Sequence, residues 1–282
     1  MSDRTNVAYL YDGSFEGLLN CIFTSYERRE APEIVAAEEG FQQGLWTRTE
    51  RIATDPDKAI RMEKGIVQRA GREILENMFL SFLSCRADKD VWIYRYARMA
   101  MKAGRQLQNM LTDSSVMTVA DMVRKVGNEK VRMIEFIRFS EMENGVYYAE
   151  IGPDNDVLSL IMPHFTDRLS CIPFIIRDRK RNAAALYDTR EWYITDASGM
   201  HLPSYAEDEA EFRRLWKRFF QTIAIRERAN YICQRGHLPL KYRRYMTEFQ
   251  VDSVLSPAAG YLDREKSALG VQRVHHLDAQ TE

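Results

Sequence analysis

The 282-residue chain has no surplus of charge: 40 Lys and Arg stand against 41 Asp and Glu, a formal net of -1. That excludes a polycation that coats nucleic acid by bulk charge, so any affinity for phosphate must come from a local patch. Long hydrophobic runs are also missing. No stretch approaches the ~18 apolar residues of a membrane span. The start, MSDRTNVAYLYDG, has no basic segment leading into an apolar one. No membrane partner is expected, and the chain reads as cytoplasmic. Cysteine is scarce: Cys21, Cys85, Cys171 and Cys233 stand singly. With no Cys-x-x-Cys pair to hold zinc or an iron–sulfur cluster, they read as reduced thiols, mostly in the core. No metal and no cofactor are expected. There is no Gly-x-Ser-x-Gly elbow, no His-Glu-x-x-His and no glycine-rich dinucleotide loop. The glycines after β-like VAYLYDG are not followed by Gly-Lys-Ser/Thr, so a P-loop is excluded too.

What is present divides by period. VAYLYDG reads as a strand closed by a turn, after which Ser14 can cap a helix with Phe15, Leu18, Leu19, Ile22, Phe23 and Tyr26 on one face. From Asp57 to about Gly127 the pattern is helical, with breaks near Cys85–Asp88 and Thr112–Ser114. It then changes: IEFIRFSEMENGVYYAEI alternates about an Asn144-Gly145 hairpin signal. DVLSLIMPHFTDRL is helical, and CIPFIIRDRKRNAAALYDTREWYITDA supplies two or three further strands. The expected class is α+β, a mainly helical N-terminal lobe packed on a small antiparallel sheet with flanking helices. The expected division is a strand plus helical lobe over 1–128, an α+β lobe over 129–250, and a loosely ordered tail over 251–282.

The sharpest periodicity is in EDEAEFRRLWKRFFQTIAIRERAN. Phe212, Leu215, Trp216, Phe219, Phe220 and Ile223 share one side, read as core; Arg213, Arg214, Lys217, Arg218 and Arg228 share the other. Between Phe212 and Tyr245 ten cations meet one acid, Glu227. Such a segment in a neutral protein is a candidate footprint for a phosphate backbone. Tyr231, Tyr242 and Tyr245 lie among those charges, and rings beside guanidinium groups offer stacking surfaces for unpaired bases. A solvated helix face neutralised by acids elsewhere, such as the preceding EDEAE, is the plainer alternative.

Candidates for chemistry are fewer. His164 and Arg168 lie one turn apart in MPHFTDRL, although Pro163 interrupts the helix there. His164 reads either as a satisfied core histidine or as a proton carrier beside a phosphate-binding arginine. Arg177, Asp178, Arg179, Lys180 and Arg181 sit between two strand-like runs, a hairpin tip that would extend a cationic groove if it faced the basic helix. Asp178 would then orient an arginine or a water.

Several stretches together resemble a known family. YLYDGSFEGLL, RFSEMENGVYYAEIGPDNDVLSLIMPHFTDRL, IIRDRKRNAAALYD and ERANYICQRGHLPLKYRRYMTEF, in that order as far as Phe249, are similar to an uncharacterised bacterial family grouped with DNA metabolism and DNA repair. The resemblance implies DNA as a partner, together with a radical-SAM protein encoded nearby. Some members carry a uracil-DNA glycosylase-like domain after the shared region; this chain stops at Glu282, so that activity is not carried over. The matching motifs hold Tyr11 and Asp12, His164 and Arg168, Asp178 and Arg181, and Arg228, Asn230, His237, Tyr242 and Arg243.

Three functions follow. One is a DNA-binding accessory that holds single-stranded or damaged DNA for a radical-SAM enzyme, through Arg168, Arg181, Arg214, Lys217, Arg218, Arg228, Asn230, Lys241, Tyr242, Arg243 and Arg244. Another is a DNA glycosylase or other DNA-processing enzyme using His164, His237 and Asp178. The last is a protein-interaction scaffold without nucleic-acid contact.

Overall fold

The computed structural model describes residues 6–42, 47–225 and 230–250. Contacts divide the chain into two compact units, Met1–Asn128 and Glu129–Glu282. The class is α+β.

The first unit is built on β1 (Asn6–Tyr11), the central strand of a three-stranded sheet of order β2-β1-β3. Both neighbours, β2 (Ile34–Ala37) and β3 (Thr47–Arg51), run parallel to it. Ala8, Tyr9, Leu10 and Tyr11 are all buried, as a central parallel strand covered on both faces requires. The Ser14 hydroxyl accepts from Gly17 N at 2.9 Å and caps α1 (Phe15–Glu27). A helical layer follows: α2 (Pro56–Ala70), α3 (Arg72–Phe82) and α4 (Lys89–Ala103). Asp55 caps α2 with Pro56 in its first turn, and Gly71, at φ 106°, turns the chain into α3. Leu18, Ile22, Ile66, Ile74, Met78 and Ile93 meet in one core.

Helix α5 (Ser114–Phe136) begins in the first unit and ends in the second. The second unit holds a five-stranded sheet in sequential order: β4 (Ser140–Glu141), β5 (Tyr147–Ile151), β6 (Phe174–Asp178), β7 (Ala183–Tyr187) and β8 (Trp192–Asp196). The turn at Glu143-Asn144-Gly145 forms as expected, with Gly145 at φ 75°. Most pairs are antiparallel, but β5 and β6 are parallel because α6 (Leu158–Arg168) crosses between them. Phe139 packs edge-on against Phe165 of α6 and Phe174 of β6, joining helix to sheet.

After the sheet come α7 (Glu209–Ile223), α8 (Tyr231–His237) and α9 (Leu240–Arg243). Here the structure corrects the sequence analysis twice. The apolar side of α7 is not core: Phe212 and Phe219 are 58 % and 53 % exposed, and Leu215, Trp216 and Ile223 are exposed with them. Periodicity identifies which face is apolar, not whether anything covers it. Of the cysteines only Cys21 is buried; Cys85, Cys171 and Cys233 are exposed. Among the described residues no helix is long and apolar enough to cross a membrane.

Candidate functional site

The motifs of the second unit meet at a carboxylate that the sequence does not single out. Glu129, on α5, is buried and accepts the Tyr242 hydroxyl at 2.5 Å, Asn155 Nδ2 at 2.6 Å, and the backbone N–H groups of Asn155 and Asp154 at 2.7 and 2.8 Å. Lys241 Nζ lies 3.5 Å away and also bonds Asp154. Burial opposes the charge of Glu129, but these donors outweigh it and hold the carboxyl below its ordinary range. Burial, and then the bond to Glu129, push the Tyr242 phenol up to about 12. Tyr242 is 2 % exposed, so its ring supports the fold and offers no face to a base.

The hairpin tip between β6 and β7 joins the same network. Asp178 is fully buried, and its Oδ1 accepts the backbone N–H groups of Lys180 and Arg181, which shapes the turn. Its Oδ2 takes Arg181 Nη1 at 2.9 Å. Arg181 also donates to the carbonyls of Pro153 and Asp154, and Lys180 bonds the Asp154 carboxylate. Gly152 belongs here too: a Cβ added to it would stand 2.2 Å from the Tyr245 hydroxyl. Arg179, Lys180, Arg181 and Lys241 thus each have a carboxylate partner in Glu150, Asp154, Asp178 or Glu129. These cations act as a clamp, and their charge is largely spent within the unit.

The remaining residues fall elsewhere. On α6 the buried side is Leu158, Ile161, Met162 and Phe165, which leaves His164 and Arg168 exposed. His237 is exposed at the end of α8, and neither histidine has a hydrogen bond among the described residues. Asn230 caps α8 through Cys233 N at 3.0 Å. Arg243 donates to the Leu238 carbonyl and lies over the Phe249 ring, and Arg244 lies over Tyr245. Arg228 is outside the described residues. In the first unit, Tyr11 is buried beside Asp90, while Asp12 accepts Ser14 N, Ser14 Oγ and Thr54 Oγ1. Burial works against the Asp12 charge, and those bonds prevail and lower its pKa.

Helix α7 presents a different surface. One edge is anchored: Glu209 accepts Arg213 Nε at 3.0 Å and Glu141 N at 3.2 Å, and Arg213 reaches Ser140 Oγ at 2.8 Å. Trp216 Nε1 donates to Glu248, which also pairs with Arg138 at 2.9 Å. The opposite edge is free of such ties. Arg214 and Arg218, one turn apart and exposed, have no ion pair among the described residues, and they border the exposed row Phe212, Leu215 and Phe219. Lys217 is half-buried and keeps contacts of its own. Among the described residues no group of His, Cys, Asp and Glu could hold a metal ion.

The buried hub was missed because Glu129 sits in an ordinary helical stretch, NEKVRM, where a buried glutamate looks like a solvated one. Gly152-Pro153-Asp154-Asn155-Asp156 carried a turn signal that pointed to an ordered loop. No curated protein matches the chain. Residues 87–248, which include the whole clamp and α7, match the model of a family described as Domain of unknown function (DUF4130), and the chain belongs to that family.

Proposed function

We propose that the chain binds single-stranded nucleic acid along the exposed edge of α7, as an accessory to an enzyme that carries the chemistry. In the setting implied by the family resemblance, the strand is DNA and the enzyme a radical-SAM protein. One observation carries the reading: Arg214 and Arg218 have no acidic partner among the described residues and stand beside the exposed rings of Phe212 and Phe219. Unneutralised arginines attract a phosphate backbone, and open rings take bases that are not already stacked in a duplex. The clamp around Glu129 serves this reading indirectly, because it holds α9 and the β6–β7 turn as one rigid part of the unit.

The test is fluorescence anisotropy of a labelled single-stranded oligonucleotide at low salt, with wild type and the double variant R214E/R218E. Wild type is expected to bind at micromolar protein, and the variant to bind at least about tenfold more weakly whatever the base sequence. A wild type that stays unbound at high micromolar concentration sinks the proposal.

A second reading has its own observation. Leu215, Ile223 and Ile225 are also exposed, and an apolar stripe of this kind suits a protein partner. Co-purification that survives nuclease, is lost in Leu215→Ser, and occurs without strand binding would favour it. The enzymatic alternative has no comparable support, since His164 and His237 hydrogen-bond to no acid among the described residues.

A further inference from the structure

Helices α1, α2 and α4 of the first unit border two adjoining open depressions of about 460 and 500 Å³ that share Tyr26 and Met101. Two rings of α1 line them, Tyr26 in both and Phe23 in the second. Phe23 has Arg61 5.0 Å and Lys58 5.4 Å from its centroid, and Tyr26, 41 % exposed, has Arg98 at 4.4 Å. Arg98 is fixed through a single nitrogen: Nη1 donates to Ser25 Oγ, Glu30 O and Tyr94 Oη at 3.1 to 3.3 Å. Its Nε and Nη2 make no hydrogen bond among the described residues, so a held guanidinium keeps one edge unspent. Arg61 and Lys102 line the same depressions, exposed and without an ion pair among the described residues. The one acid in the lining, Glu27, is bonded to Lys58 at 3.1 Å.

We propose that this groove is a binding site for a single nucleic-acid strand, with an unpaired base against Tyr26 and Phe23 and phosphates on Arg61, Arg98 and Lys102. Charge complementarity selects the occupant. An apolar peptide would leave three cations facing it without counter-charge, whereas a strand supplies a phosphate beside every ring-stacking base. A duplex has its base faces already covered. The inference rests on the reading of α7 only for the class of ligand, and it enlists α1 and α2, which precede the matched family region at residue 87.

The experiment uses the full chain and a short oligothymidylate carrying one 5-iodouracil. The bound complex is irradiated and the adduct mapped by peptide mass spectrometry, with affinity measured by anisotropy. The expected adduct lies on α1 at Tyr26; Tyr26→Ala abolishes it, and both Tyr26→Ala and R61E/K102E weaken binding about tenfold. These side chains are exposed, and circular dichroism confirms that each variant is folded. Undiminished strand binding with no α1 adduct and no effect of either variant overturns the groove and leaves α7 standing. An α1 adduct with R214E/R218E indistinguishable from wild type does the reverse. No strand binding at all overturns both. Equal competition by free thymidine 5′-monophosphate at matched nucleotide concentration overturns the assignment to a strand.

Discussion

Replacing Glu129 by alanine tests the clamp at its centre. The buried carboxylate is the shared acceptor for Tyr242 Oη, Asn155 Nδ2 and two backbone N–H groups. Truncation strands at least the two buried side-chain donors, and each unsatisfied buried donor costs about 1–3 kcal/mol. Lys241 keeps its bond to Asp154, so no unpaired cation is created. The sum is about 4 kcal/mol, within the range for breaking a buried polar network. In a unit of this size that is a fall in Tm of ~10 °C by differential scanning calorimetry at pH 7. The sign with pH follows from the lowered pKa of Glu129: a carboxyl depressed on folding stabilises above its unfolded pKa, about 4.3, and that contribution is lost as pH falls through the folded value. The gap between wild type and Glu129→Gln should therefore be full at pH 7 and shrink in acid. A Glu129→Ala variant melting within about 1 °C of wild type would refute the reasoning.

Two further outcomes are expected. Gly152→Ala drives a Cβ into the Tyr245 ring, with contacts of 2.2 to 2.8 Å, and should cost about 1–3 kcal/mol in urea denaturation; in a Tyr245→Ala background most of that cost should vanish. On α7, F212S/F219S should leave Tm within about 2 °C of wild type, because both side chains are already in water, whereas Phe174→Ala in the β6 core should cost about 3–5 kcal/mol. A large loss of stability from the α7 pair would mean that its apolar face is covered after all.

Much of the architecture was readable wherever local signals agreed. Asp12-Gly13-Ser14 marks the β1 to α1 passage through a cap, Asn144-Gly145 marks a hairpin, and the helical run after Asp57 carries its own breaks. The strands β2 and β3 were hidden. IVAA is too short to show a period, and TRTER is an edge strand whose charges, Arg48 and Glu50 among them, pair with Glu30 and Arg28 across the surface. The parallel pairing of β5 with β6 depends on the α6 crossover, a long-range fact that alternation does not encode. At the candidate site the sequence names Arg181, Lys241 and Tyr242 but does not reveal that Asp178, Asp154 and Glu129 bond them, because those pairings are made by the fold. Arg214 and Arg218 differ from these in having no ion pair among the described residues.

The most direct measurement is the slope of log Kobs against log salt for a single-stranded oligonucleotide, taken for wild type and R214E/R218E. Two phosphate contacts released at ~0.7 counterion each predict a slope shallower by about 1.4 in the variant, the same for every base sequence tried. Identical slopes for the two proteins would show that α7 does not touch the strand.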